Sequence, residues 1–428
     1  MKVSVHLGTV YGGAVQLGHG RSAARLAALL LTLCVLPPLP ANAAPALMTS
    51  AGHATVAPLM AGATPATTTA TPAGNALSRE VFGFFHPGDL DYILHQADFS
   101  AVSTVAYFGI SSHSTGRLKR TDHGGAIDYR WKAWLSPKMD RVIARAHGAG
   151  AKVLLTVTRF GWTDSTYRSS VKLLETATAR DRLAHEIADE VARRGVDGVA
   201  LDFEPIPRAV KQQFVTFVHQ VRVALDAKHA GLNLTVAATG YIANYDAGGI
   251  VRAGADAIFI MAYHYHGSWS SSTGNISPLK RPGYDLRDTI DTFEADGAPA
   301  SKLILGLPYY GYEWSTVTGK AHSNTRPAGS TYGFPFSILY RTAIGIAATY
   351  GRRWDTLEEA PWVRWQYRAC GSCPLTWRQL YYDDVQSYGL KFDLVNQRNL
   401  RGVGIWALGY EGSHTELNHL LKQKFRSP

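Results

Sequence analysis

Eight short apolar runs, each followed by a segment of helical spacing or by turns, restrict what this chain can fold into. The runs are Val81-Phe-Gly-Phe-Phe85, Ala101 to Phe108, Ala151 to Val157, a run ending at Glu204, Leu232 to Ala238, Ala257 to Tyr263, Leu303 to Pro308 and Gly402 to Leu408. They are rich in Val, Ile, Leu and Phe and lack a polar face, as expected of strands buried on both sides of a parallel sheet. Helical spacing is expected over Trp134 to Ala149, Asp181 to Arg194, Gln212 to Ala227 and Tyr381 to Gln397. Strands alternating with helices predict an α/β chain whose parallel sheet closes into a (β/α)8 TIM barrel. The interval after the seventh strand is too long for one helix. Residues 312–380 or so are rich in aromatics and Gly, with a helical stretch expected over Ser337 to Thr349. They predict a small α+β insertion between strands 7 and 8.

The fourth run ends in acid: Gly195-Val-Asp-Gly-Val-Ala-Leu-Asp-Phe-Glu-Pro-Ile206. Side chains alternate along a strand, so Asp202 and Glu204 share a face with Ala200, their Cα atoms roughly 6.6 Å apart. Pro205, lacking an N–H, ends the ladder. Two carboxyls on one buried face are costly unless neutralised or paired. At the C-terminal end of a barrel strand such acids mark a catalytic centre, while a structural ion-pair cluster or a solvated strand end is the alternative.

Asp197-Gly-Val-Ala-Leu-Asp-Phe-Glu204 resembles the Asp-Gly-x-Asp-x-Asp-x-Glu signature of glycoside hydrolase family 18, the chitinase family. Three more segments match that family in order. Met261-Ala-Tyr263 resembles its Met-x-Tyr motif, and Gly306-Leu-Pro-Tyr-Tyr-Gly311 its Gly-x-Pro-x-Tyr-Gly segment. Gly402-Val-Gly-Ile-Trp-Ala-Leu408 resembles the strand that carries a sugar-facing Trp. The chain departs from the pattern at Ala200, which replaces an acid, and at His264 and Tyr312, where Asp and Arg are common. Thr156-Val-Thr-Arg159 stands in place of Ser-x-Gly-Gly.

The resemblance implies a retaining glycosidase acting on β-1,4 bonds beside N-acetylglucosamine by substrate-assisted catalysis. Chitin or chito-oligosaccharides are the first expected substrate. Peptidoglycan or N-linked glycans are the alternative within the same chemistry, and a sugar-binding lectin on an inactive barrel is the rival. It implies Glu204 as acid and base, Asp202 as the group holding the acetamido N–H, and Tyr263 as a donor to the acetamido oxygen. Trp406 is expected beneath the sugar, with Met261, Tyr310, His264 and Phe85 as further substrate contacts. Tyr263, Met261, Tyr310 and Trp406 each have a plain alternative as barrel filling.

Arg21 and Arg25 precede the apolar run Leu26 to Leu36, and Ala41-Asn-Ala43 offers small residues for cleavage. Residues 1–43 are therefore expected to be a signal peptide on a secreted protein, extracellular or cell-wall associated. Residues 44–78 are mostly Ala, Thr, Pro and Gly, the composition of a linker. The barrel is then expected over 79–428, with no membrane contact after cleavage. The formal charge of +10 less Lys2, Arg21 and Arg25 leaves +7. That suits loose association with an anionic wall, and no run interleaves basic and aromatic residues as a nucleic-acid platform would. A monomer is expected, with an N-acetylglucosamine-containing polysaccharide as its partner and no cofactor. Cys370-Gly-Ser-Cys373 in an exported chain reads as a short disulfide. His264 and His266 are near enough in sequence to share a metal, but no third ligand stands at suitable spacing, so no metal site is expected.

Overall fold

A computed structural model describes residues 77–426. The expected signal peptide and nearly all of the expected linker lie outside the described residues. The linker's last two positions do not behave as linker: Ser78 N–H donates to Phe425 O, and Leu77 bridges Arg426.

Eight parallel strands close into a barrel: β1 (Glu80–Phe85), β2 (Thr104–Ser111), β3 (Lys152–Phe160), β4 (Gly198–Glu204), β5 (Asn233–Thr239), β6 (Ala257–Met261), β7 (Leu303–Pro308) and the last strand of the chain, Gly402–Trp406. Helices α1 (Leu90–His95), α2 (Tyr129–Trp134), α3 (Pro137–Gly148), α4 (Asp164–Glu175), α5 (Ala177–Arg194), α6 (Lys211–Asp226), α7 (Ala247–Arg252) and α8 (Leu286–Ala295) fall between the first seven strands. Between β7 and the last barrel strand stands an antiparallel sheet of β8 (Tyr310–Thr316), β9 (Phe336–Leu339), β10 (Arg353–Asp355), β11 (Ala360–Tyr367) and β12 (Thr376–Tyr381). It carries α9 (Tyr340–Tyr350). Helix α10 (Val385–Gln397) returns the chain to the last barrel strand, β13, and α11 (Glu416–Phe425) follows it. The expected (β/α)8 barrel with its insertion is therefore the observed fold. Among the described residues no helix is long and apolar enough to cross a membrane.

Local chemistry sets the boundaries. The helix expected over Trp134 to Ala149 is two helices, because Ser136 caps Met139 N–H and Pro137 takes the first turn of α3. The expected start of α10 at Tyr381 is still strand, and the helix begins after Asp384, whose side chain accepts from Gln386 and Ser387 N–H. Ser337–Leu339 lies on an edge strand rather than in α9.

Two cores result from the pleat. Val199, Leu201 and Phe203 of β4 pack outward with the helices, while Ala200 faces the barrel interior with Phe82, Phe84, Leu154, Ala237, Phe259 and Ile304. Glycine makes room for the large interior rings: a Cβ on Gly404 would stand 2.1 Å from the Phe259 ring, and one on Gly306 2.4 Å from it. Entry into β4 is fixed in the same way. Gly195 ends α5 with φ 61°, and Gly198, at φ 148°, lies where a Cβ would be 2.0 Å from Asn233 O. Between them Asp197 accepts from Val153 N–H at 2.7 Å and meets His147 Nε2 at 2.8 Å. The first Asp-Gly of the acidic motif thus anchors the bottom of the strand.

Candidate active site

Asp202 and Glu204 leave the C-terminal end of β4 on the interior face and are 2% and 9% exposed. On β3, Thr158 stands opposite Asp202 and Phe160 opposite Glu204. On β5, Ala237 stands opposite Asp202. Little water reaches either carboxyl. Burial pushes Asp202 up to about 7, and a hydrogen bond to Glu204 opposes the rise. Glu204 is raised well above the usual carboxylate range, first by burial, then by the neighbouring Asp202 charge. Apart from this contact with Glu204, neither oxygen of Asp202 has a hydrogen-bond partner among the described residues. Two ionised carboxyls are acceptors only, so their contact is favourable when they share one proton.

Around this pair the barrel end is aromatic. Met261 and Tyr263, the first at the end of β6 and the second just beyond it, are both buried in the interior cluster. Tyr263 is held far above the usual phenol value by burial, then by Tyr310, Glu204 and Asp202, so its hydroxyl keeps its proton as a donor. The Tyr310 ring lies 6.3 Å from that of Tyr263. Half-buried Trp406 ends β13, its ring 4.6 Å from Phe108, 5.1 Å from His86 and 5.6 Å from Phe84. The edge-on contacts with Phe108 and His86, with the tilted ring of Phe84, fix the plane of the indole. His86 Nε2 is 3.0 Å from Tyr410 Oη, and burial lowers its pKa to about 4, helped by Arg130, so the ring is neutral. His264 is solvent-exposed beside Tyr263, with ring centroids 5.1 Å apart.

Phe85 does not join this group. It is fully buried on the outer face of β1, 5.7 Å from the Tyr107 ring, and its neighbour Phe84 faces the interior instead. The run Val81 to Phe85 is apolar at every non-glycine position, so its pattern does not reveal which face turns inward. Sequence reading also missed Phe108, His86 and Tyr410, which brace Trp406, and the exposed aromatics Trp162, Tyr241 and Trp269 on the loops after β3, β5 and β6. Their only signal was position: each lies in the C-terminal half of a barrel strand or on the loop that follows one. Away from the carboxyls, Cys370 and Cys373 form the expected disulfide, S–S 2.13 Å. His266 is buried 3.7 Å from Glu358 of the insertion.

The family model for glycosyl hydrolases family 18 matches residues 104–411. Chitinase A1 of Niallia circulans is 28% identical over 299 residues, covering 61% of this chain and 41% of that protein. A cortical fragment-lytic enzyme of Bacillus subtilis (strain 168) is 25% identical over 244 residues, covering 55% and 52%. The chain spans about half the length of the curated relatives it matches. Among solved structures, a GH18 chitinase mutant from Cycas revoluta in complex with (GlcNAc)4 superposes with a TM-score of 0.66 at 21% identity, covering 81% of this chain and 99% of that one. Human YKL-39, described as a pseudo-chitinase with retained chitooligosaccharide binding, superposes with a TM-score of 0.67 at 15% identity over 81% and 99%. The matched span takes in the acidic strand, the Met-x-Tyr segment and the Trp-bearing strand, and this chain belongs to glycosyl hydrolases family 18.

Proposed function

We propose that this chain is an exported retaining glycosidase, cleaving β-1,4 bonds beside N-acetylglucosamine. The observation that carries the reading is the buried pair Asp202 and Glu204, raised in pKa and facing a braced aromatic floor. A carboxyl raised by burial stays protonated at neutral pH and has a proton to give. Glu204, raised by burial and by the Asp202 charge together, protonates the leaving glycosidic oxygen. The substrate's acetamido oxygen attacks the anomeric carbon from the opposite face. The cation that forms is an oxazolinium, and Asp202 balances its charge and holds its N–H. Tyr263 donates to the acetamido oxygen, which keeps the group folded under the ring. Water then opens the oxazolinium as Glu204 takes a proton back, so the product keeps its configuration. Trp406 supplies the flat apolar face on which the sugar ring rests.

Chitin or its oligosaccharides are the first substrate. Similarity to a cortical fragment-lytic enzyme supports peptidoglycan glycan strands as the second reading. Mature protein cleaved near Ala43 should be incubated with chitin oligosaccharides and, separately, with purified peptidoglycan, and the products identified by mass spectrometry. Shortened N-acetylglucosamine oligomers support the first reading, and muropeptides ending in reducing N-acetylglucosamine support the second. Binding of both substrates without any cleavage would favour the lectin reading and overturn the proposed activity.

A further inference from the structure

We infer that the insertion holds a divalent transition-metal ion, of which Zn2+ is the best fit, on His322, Asp355 and Glu358. His322 lies on the connection between β8 and β9, Asp355 ends β10 and Glu358 follows in the turn to β11. One nitrogen or oxygen from each lies within 4.8 Å of the other two, so one ion about 2–2.4 Å from each can sit among them.

The outer contacts match those of a metal centre. Nδ1 of His322 is 3.2 Å from Thr273 O, which accepts only if Nδ1 carries the proton; Nε2 then turns a lone pair toward the carboxylates. Asp355 Oδ1 accepts from Leu357 N–H at 2.9 Å, leaving Oδ2. Glu358 Oε2 accepts from Asn275 N–H at 2.5 Å, leaving Oε1. Each ligand is thus tied by one atom and offers another.

A second observation points the same way. His322 Nε2 and Asp355 Oδ2 stand 2.7 Å apart as an ion-pair contact, and both are buried atoms that no other hydrogen-bond partner satisfies. Asp355 is 6% exposed and Glu358 2%; the partly exposed imidazole of His322 stands beside Asp355, and buried His266 Nε2 lies 3.7 Å from Glu358 Oε1, too far for a hydrogen bond. A divalent cation neutralises both acids, whereas a proton on His322 neutralises one. Imidazole with carboxylates is a donor set that suits Zn2+. Of the three ligands His322 holds left-handed backbone, φ 55°, a conformation non-glycine residues seldom adopt, and so does Glu359, the residue after Glu358, at φ 54°. Because Asn275 belongs to the loop after β6, an ion here would pin the insertion to the barrel.

The test uses untagged mature protein, stripped with chelator and titrated calorimetrically with zinc chloride, with bound metal counted by inductively coupled plasma mass spectrometry. One Zn2+ per chain is expected, with a Tm rise on loading. His322→Asn and Asp355→Asn should each weaken binding at least about tenfold. If Asp355→Asn fails to fold, His322→Asn at its partly exposed position carries the comparison alone. Wild type that takes up no stoichiometric zinc would overturn the site and leave a direct imidazole–carboxylate contact. Equal affinity in wild type and His322→Asn would overturn it too.

Discussion

Asp202→Asn replaces a buried carboxyl with an amide of the same shape, and its effect on stability should grow with pH. In the folded protein burial pushes Asp202 up to about 7, against about 3.9 in an unfolded chain. The native state therefore binds this proton more tightly than the unfolded state does. Its contribution is fully present below pH ~4 and is lost as pH rises through about 7. The gap between those two values corresponds to about 4 kcal/mol, and the group is buried enough for no solvent discount. Removing the like charge beside Glu204 acts in the same direction. For about 350 described residues at about 2.1 cal/mol/K each, 4 kcal/mol is a Tm difference of about 5 °C. The assay is calorimetric Tm for both proteins from pH 4 to pH 9. The amide's hydrogen bonding adds an offset independent of pH, so the informative quantity is the change in the gap. The variant should gain about 5 °C on wild type between pH 4 and pH 8 while losing most turnover. A gap that stays constant across that range would refute the buried, raised carboxyl.

Three further outcomes follow from the same geometry. Ala200→Asp places a new carboxyl within about 7 Å of Asp202 on the interior face, and should move the acid limb of the kcat/KM profile by about 1 pH unit; superimposable profiles would contradict the inward face of β4. The Cys370→Ser, Cys373→Ser double variant should keep turnover within twofold and lose about 2 kcal/mol or less by denaturant unfolding, since the closed loop is short. Gly404→Ala should cost about 1–3 kcal/mol by the same measurement, because its methyl would meet the Phe259 ring; a neutral result would mean the interior rings are looser than they stand.

The acidic strand was legible because its alternation is clean: Val199, Leu201 and Phe203 against Ala200, Asp202 and Glu204. Barrel closure was legible because eight two-sided apolar runs leave few other parallel sheets. Phe85 was misplaced for the same reason, since such a run hides its inward face. Helix ends were set by single caps, Ser136 and Asp384, which outweigh the apolar spacing on either side. The cluster of His322, Asp355 and Glu358 comes from separate segments that only the insertion's antiparallel sheet brings together. The braces of Trp406 come from β1, β2 and the turn after β13, and no local pattern links them.

The most direct measurement is the anomeric configuration of the first product, followed by proton NMR as wild type and Glu204→Gln act on a chitin oligosaccharide. The amide keeps the shape of Glu204 but has no proton to give, and general acid–base catalysis typically contributes about 10²–10⁴-fold. Wild type is expected to release the β-anomer first, and Glu204→Gln to fold normally and lose at least about a hundredfold in rate. Initial release of the α-anomer, or turnover by Glu204→Gln within a few-fold of wild type, would contradict catalysis by the Asp202–Glu204 pair through the substrate's own acetamido group.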